Sequence, residues 1–323
     1  MLYPMKLKPV LKDAIWGGQR LAAEYNKSSD PNKKIAESWE LTIHKNGVNI
    51  IENGEYAGQT LEEVVGPGFH ARPQNPNSAL VSWRCGMEAA PYNEKFPLLI
   101  KFIDAEQNLS VQVHPDDDYA GKYENGELGK TEMWYIIDAK PGAKIVYGLN
   151  GDYTREDLQN LIDNNRFEEC LNYIEVKPGD VYFIPAGLVH AIGEGILIAE
   201  VQQNSDTTYR FYDYNRTDAD GNPRELHIKQ ALDVCIKTKF KLDNSTACEY
   251  FTVKKFTSAS VNNIVFTPEN FYSVICLDGE GEIIHDNKIY EVKKGDSYFI
   301  PANMGKFAIN KKSENFGGIL SCN

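Results

Sequence analysis

Two stretches of this chain are nearly the same sentence: VKPGDVYFIPAGLVHAI from Val176 and VKKGDSYFIPANMGKFAI from Val292. Each contains G-D-x-Y-F-I-P-A, and Gly179 and Gly295 are 116 residues apart. The Gly-Asp pair turns the chain, Tyr, Phe and Ile fill a strand, and Pro ends it at a sheet edge where no ladder N–H is needed. A chain that carries this unit twice is expected to be a duplicated β structure. The rest of the sequence agrees. Short apolar runs such as SWELTI, PLLIKFI, TEMWYII, ILIAEVQ, YSVICL and KIYEV alternate with Gly, Pro, Asn and Asp clusters. That spacing, roughly 8–12 residues, is the signature of antiparallel sandwiches or barrels.

A length of 323 residues suits one large domain or two ordinary ones. The expectation is a mainly β fold of two β-sandwich or jelly-roll units, residues 1–238 and 239–323, with a small helical insertion near 154–172. Thr154 and Asp157 form a helix-capping signature, and Leu158, Leu161 and Ile162 follow at i, i+3, i+4 spacing. Arg166–Leu171 completes the excursion. A further helix is expected over Ile228–Ile236, where Ala231, Leu232 and Cys235 share a face.

The copies differ in one chemical respect. His190 stands five residues after Pro185, whereas Lys306 stands five after Pro301, and Asn303 replaces Gly187. Gly179, Pro185, Gly187 and His190 match the second half of the cupin signature, a glycine, five residues and P-x-G-x-x-H. Upstream, in LSVQVHP, Gln112 and His114 are two apart, so a strand points both the same way. Glu132, in KTEMWYII, adds a carboxylate. An amide oxygen, two imidazoles and one carboxylate suit a divalent ion such as zinc, with room for water or substrate. A single anionic ligand leaves the positive charge that Lewis-acid chemistry needs. One histidine near a strand end is ordinarily just a polar residue; the joint pattern carries the reading. His44, His70, His227 and His285 sit at turn, loop or helix-start signals and are not assigned to a metal. ENFYSVICLDGEGEII, ahead of the second copy, offers no Q-x-H, so the second unit is expected to be metal-free.

A formal charge of −12 provides no basic face for nucleic acid and argues against anionic membrane surfaces. No run approaches the length of a membrane span, and MLYPMKLKPVLKDAIWGG lacks the apolar core of a secretory signal, so a cytoplasmic location is expected. Cys85, Cys170, Cys235, Cys248, Cys276 and Cys322 form no CxxC pair and read as reduced structural thiols.

At QVHP, KTEMWY, PAGLVHAI and EVQQNSDTTYRFYDYNR the chain resembles the shorter bacterial type I mannose-6-phosphate isomerases, over nearly its whole length. The resemblance implies a zinc-dependent cupin enzyme, with one Zn2+ per chain, that interconverts mannose 6-phosphate and fructose 6-phosphate. The family's ligands fall on Gln112, His114, Glu132 and His190, and its catalytic arginine on Arg210. Longer relatives carry His-Lys-Pro-Glu where this chain has Gly129-Lys130-Thr131-Glu132, so no histidine role transfers there. Such an isomerisation moves a proton between C1 and C2 through a cis-enediol. Lys130, two residues before Glu132, is the first candidate for that transfer and a metal-bound water its competitor. Lys101, Ser110 and Arg210 are the phosphate candidates, with Arg210 equally suited to an enediolate. Glu37 and Trp39, in ESWELT, could line the pocket, since an aromatic can stack on a sugar face, but such residues are more often core and capping and they stay outside the candidate site. Two other readings remain at this level: a metal-dependent cupin dioxygenase, and a non-catalytic sugar-binding cupin. The oligomeric state is not legible.

Overall fold

The computed structural model describes residues 2–65, 95–217, 221–261, 264–266 (backbone alone) and 270–323; His70 and Cys85 lie outside the described residues. The fold is mainly β, in antiparallel sheets, as the strand spacing predicts.

The first sandwich pairs a six-stranded sheet with a five-stranded one. The larger runs Val181–Ile184, Glu132–Ala139, Ile196–Gln203, Leu98–Ala105, Glu37–Leu41, Val10–Lys12 across its width. The smaller runs Leu171–Glu175, Lys144–Leu149, His190–Ile192, Val111–Val113, Tyr209–Tyr212. Ile103, Trp134, Ile136, Ile145, Tyr147, Ile184 and Ile198 fill the space between them. The two-residue period of the strands decides what faces inward. Val111 and Val113 point out of the smaller sheet, with Tyr209 and Phe211, onto a helical layer carrying Leu158, Phe167, Ala231 and Leu232. Gln112 and Arg210, one residue out of phase, point into the sandwich. Arg210 is therefore not buried among Tyr209, Phe211 and Tyr212 as a reading along the chain suggests; Tyr209 and Phe211 lie on the opposite face.

The helical layer forms where the caps predict. Helix Arg155–Asp163 carries a complete Thr154/Asp157 capping box, and a 3-10 turn follows at Phe167–Cys170. The later helix spans Ile228–Val234 and stops short of Ile236 because Cys235 is extended. Among the described residues no helix is long and apolar enough to cross a membrane.

The second unit repeats eight of the eleven strands of the first sandwich. Ser297–Ile300, Tyr272–Asp278, Gly317–Cys322 and Thr252–Thr257 take the order of Val181–Ile184, Glu132–Ala139, Ile196–Gln203 and Leu98–Ala105. Ile264–Phe266, Phe307–Lys311, Glu280–His285 and Lys288–Lys293 likewise repeat Val111–Val113, His190–Ile192, Lys144–Leu149 and Leu171–Glu175. This corrects the sequence reading in one respect. The counterpart of the Gln112 strand is Ile264–Phe266, upstream of ENFYSVICLDGEGEII, and it too has no Q-x-H.

The two units share a core. Leu98, Ile100, Phe102, Met133 and Val201 from the first large sheet pack against Phe251, Phe271, Ile275, Phe299 and Ile319 of the second. Burying such surface stabilises by roughly 25 cal/mol per Å². Met5–Lys8 extends the second unit's large sheet, with Met5 opposite Phe299. Within this apolar seam lies one ion pair: Lys27 Nζ is 2.8 Å from Glu40 and donates to the Gly295 carbonyl at 2.6 Å. Ser38 Oγ donates to Glu40 at 2.6 Å, and Ser297 Oγ of the second unit donates to it as well.

Candidate metal centre and active-site cleft

His190 enters the first sandwich from a turn that needs glycine. Gly187 has φ +86°, a left-handed conformation, and an added Cβ would lie 2.9 Å from the Val234 carbonyl oxygen. The turn delivers His190 beside Gln112, its register partner on the neighbouring strand. Glu132 opens the facing strand of the larger sheet, and the segment before it is pinned by Asp117, whose carboxylate accepts from Gly129 N at 2.7 Å and Gln203 Nε2 at 3.0 Å. A Cβ at Gly129 would meet Asp116 C at 2.5 Å. This backbone therefore admits no histidine there, which accounts for the departure from the longer pattern.

His114, Glu132 and His190 are all buried, and one ligand atom from each lies within 4.8 Å of the others; among the described residues theirs is the single such cluster. Both rings are oriented through their far nitrogens. His114 Nδ1–H donates to the Thr207 carbonyl at 2.8 Å, and His190 Nδ1–H to the Leu188 carbonyl at 2.8 Å. That tautomer leaves both Nε2 atoms as bare lone pairs. They face each other at 3.1 Å, and His114 Nε2 is 3.2 Å from Glu132 Oε1. Glu132 Oε1 faces the Lys130 ammonium at 2.9 Å and accepts no other hydrogen bond among the described residues. Three electron-rich atoms converging in a buried space fit a cation. Burial, with Lys130 nearby, pushes the His114 imidazolium down to about 3, and burial also lowers His190, so neither ring takes a proton in place of a metal at neutral pH. The Gln112 amide reaches the same point, its Nε2 at 3.5 Å from His190 Nε2; turning the amide over presents Oε1 instead.

Around this centre opens a cleft of about 260 Å³ bounded by residues between Ala14 and Arg224, including Trp16, Trp39 and Trp134. All of the predicted phosphate and catalytic residues line it: Lys101, Ser110, Lys130 and Arg210. Lys130 Nζ is 2.9 Å from Glu132 Oε1 and 3.2 Å from His114 Nε2, against the metal centre. Lys101 is less free than its sequence position suggests, lying 3.4 Å from Glu37 and 3.5 Å from Glu200. Burial opposes its charge, but those carboxylates outweigh burial and raise the ammonium above its ordinary range. Ser110 Oγ donates to Gln112 Oε1 at 3.2 Å.

Sequence reasoning missed several wall residues. Glu37 and Trp39, set aside as core and capping, face the cleft, with Trp39 Nε1 donating to Glu37 at 2.7 Å. Glu200 sits in the EVQQ run and accepts from Trp134 Nε1 at 2.9 Å; burial and the neighbouring Glu132 push its carboxyl up to about 7. Its signal was available, because Glu200 is the register partner of Lys101 in alternating strands that read Ile-Lys-Phe and Ala-Glu-Val. Arg224 also lines the cleft, and it comes from a loop with no recognisable pattern.

The second unit shows the same plan without the chemistry. Ile184 faces Glu132, and Ile300, its repeat counterpart, faces Tyr272. Tyr272 thus stands at the carboxylate's position, with its ring 6.2 Å from that of Phe307, in a core of Met304, Phe307 and Ile309. Lys306, at the His190 position, is exposed. The Arg210 strand has no counterpart among the described strands there.

A duplicated sandwich with a buried His–Glu–His cluster in one unit and an apolar core in the other defines a cupin enzyme with a single candidate metal centre. Comparison with known proteins narrows this. The family model "Phosphomannose isomerase type I, catalytic domain" matches residues 4–137, and "Mannose-6-phosphate isomerase, cupin domain" matches residues 241–314. The mannose-6-phosphate isomerase ManA of Bacillus subtilis (strain 168) is 40% identical over 328 residues, covering 96% of this chain and 97% of that protein. The mannose-6-phosphate isomerase of Streptococcus mutans serotype c is 38% identical, covering 93% of each. A crystal structure of the mannose 6-phosphate isomerase from Bacillus subtilis superposes with TM-score 0.83 at 35% identity, covering 98% of this chain and 99% of that one. The chain belongs to the type I phosphomannose isomerase family.

Proposed function

We propose that the chain interconverts mannose 6-phosphate and fructose 6-phosphate in the cytoplasm, using one zinc ion held by Gln112, His114, Glu132 and His190. The observation that carries this is the convergence of two imidazole Nε2 atoms, 3.1 Å apart, on the Glu132 carboxylate, with His114 Nε2 3.2 Å from Oε1, in a chain of this family. Two imidazoles, one carboxylate and one amide oxygen suit zinc better than an all-oxygen cation. When bound, the ion supplies Lewis-acid stabilisation to the substrate oxygens.

The remaining work falls to side chains. Lys130, which reaches the centre from the Gly129–Glu132 segment, takes the proton from C2 and returns it to C1 across the cis-enediol. Arg210, on the opposite sheet and in register with Gln112, stabilises the enediolate oxygen with a charge that burial makes more effective. Trp16 and Trp39 shape an apolar wall against the sugar, and Lys101 and Ser110 meet its hydroxyls. The two carboxylates beside Lys101 make it a poor partner for a phosphate dianion. Residues 239–323 contribute no residue to the cleft and act as the scaffold on which residues 1–238 are held. Neither the dioxygenase nor the non-catalytic reading has an observation of its own in this site.

The test is a coupled assay for fructose 6-phosphate formed from mannose 6-phosphate, with and without chelator, on the native chain and on His190→Ala with metal analysis. Turnover that chelator and His190→Ala abolish, and that zinc restores only to the native chain, is the expected result. Full turnover after complete metal removal would discard the zinc assignment, and a zinc-loaded chain without turnover would discard the isomerase.

A further inference from the structure

The proposed substrate is a dianion at one end, and the cleft must hold that end away from the metal. Arg224 lines the cleft and is held from behind: its Nε and Nη2 donate to the two oxygens of Asp213 at 2.7 and 2.6 Å. Asp213 is buried and is shared, since Arg216 Nη2 donates to it at 2.5 Å. One carboxylate thus faces two guanidinium groups, which leaves an excess of positive charge. The fork of Arg224 not used by Asp213, Nη1 and the second Nη2 hydrogen, is left for a ligand. Close by is a second unsatisfied donor. Arg210 Nε is buried with no hydrogen-bond partner among the described residues. Burial and the neighbouring Arg224 both depress the Arg210 guanidinium, so the two cations are near enough to repel each other. Two arginines facing one cleft are arranged for an anionic ligand, and Arg224, gripped from behind by its own carboxylate, presents its free fork to it. The other cationic wall residues are committed, Lys101 to Glu37 and Glu200 and Lys130 to Glu132.

We propose that Arg224, oriented by Asp213, is the phosphate anchor of the cleft and sets its preference for phosphorylated over neutral sugars. This rests on the sugar-phosphate reading above. Arg224 touches the ligand; Asp213 is a positioning residue that acts through it.

The experiment compares the zinc-loaded native chain with Arg224→Met, Arg224→Lys, Asp213→Asn and Lys101→Met. It reads KM and kcat for mannose 6-phosphate and the inhibition constant of inorganic phosphate, with thermal melting and zinc content as controls of folding. A fork of charge-assisted hydrogen bonds to phosphate corresponds to about 10–100-fold in affinity. Arg224→Met raises KM and the phosphate inhibition constant together by about that factor, while kcat falls much less. Arg224→Lys recovers part of the loss, because it keeps the charge without the fork. Asp213→Asn gives a smaller loss of the same kind, and adding it to Arg224→Met makes nothing worse. A KM and phosphate inhibition constant within twofold of the native values in a folded, zinc-loaded Arg224→Met would overturn the proposal. So would a phosphate-specific loss confined to Lys101→Met. A native chain that does not turn over mannose 6-phosphate refutes the isomerase reading instead, and phosphate binding measured directly by calorimetry then decides on Arg224 separately.

Discussion

Replacing Lys27 by Met should loosen the seam between the units, by an amount the structure sets. The Lys27 and Glu40 side chains are 4% and 0% exposed. Removing one partner of a buried ion pair typically costs about 3–5 kcal/mol, because the remaining charge is stranded away from water. Here Glu40 keeps two hydroxyl donors, Ser38 and Ser297, which places the cost near the low end, about 3 kcal/mol. In a chain of 323 residues that corresponds to a fall in melting temperature of roughly 4–5 °C. Adding Glu40→Gln removes the stranded charge and should restore at least half of the loss, so the two substitutions are strongly non-additive. Thermal melts and urea titrations at matched zinc content measure both. A loss below about 1 kcal/mol for Lys27→Met, or a double variant equal to the sum of the singles, would refute the reasoning; the apolar contact alone would then hold the units together.

Lys130→Met should keep zinc bound and lower kcat by roughly 10²–10⁴-fold, the usual contribution of a positioned acid or base; metal analysis beside steady-state kinetics checks it, and loss of metal would make Lys130 structural. Metal-free protein should lose stability on acidification from about pH 6.5 towards 3. Over that window the unfolded chain binds a proton that folded His114, held down to about 3, refuses, and His114→Asn should flatten the slope by up to about 1.4 kcal/mol per pH unit. In the second unit, Lys306→Ala should change neither turnover nor the expected single zinc per chain, whereas two tightly bound ions would mean a second site. Gly129→Ala should cost several-fold in zinc affinity and lower stability, since the added Cβ meets the Asp116–Asp117 backbone; unchanged zinc affinity would show that the segment gives way.

The convergence of His114, Glu132 and His190 was legible because a spacing of two along a strand path fixes a common face and a glycine-turn motif announces the second histidine. Gln112, His114 and His190 needed nothing beyond that. The cleft wall was harder. Lys101 looked like a free cation because Glu37 and Glu200 come from strands 64 positions before and 99 after it, and only the ladder brings them alongside. Glu37 and Trp39 looked like core because strand alternation does not tell an interior that is packed from one that is hollow. Arg224 was invisible for a different reason. Its position depends on Asp213, reached across a loop without periodicity, and no local rule links the two. Lys306 in place of His190 was visible in the sequence, but the substitution that most changes the second unit's interior is Tyr272 at the place of a carboxylate, which only strand register reveals.

The pairing of Met5 with Phe299 also bears on how the chain comes to be made. A ribosome delivers residue 299 long after residue 5, so one edge of the first strand waits for roughly 300 residues before its partner there exists. Until then Met5–Lys8 has only the short Ile50–Ile51 strand beside it, and the Lys27–Glu40 pair lacks the Ser297 hydroxyl and the Gly295 carbonyl. The metal-binding sandwich can assemble beforehand, since its strands close by residue 212. Nascent chains should therefore bring His114, Glu132 and His190 together before they acquire protection from proteases, and for that interval a chaperone has a defined target: the unclosed seam.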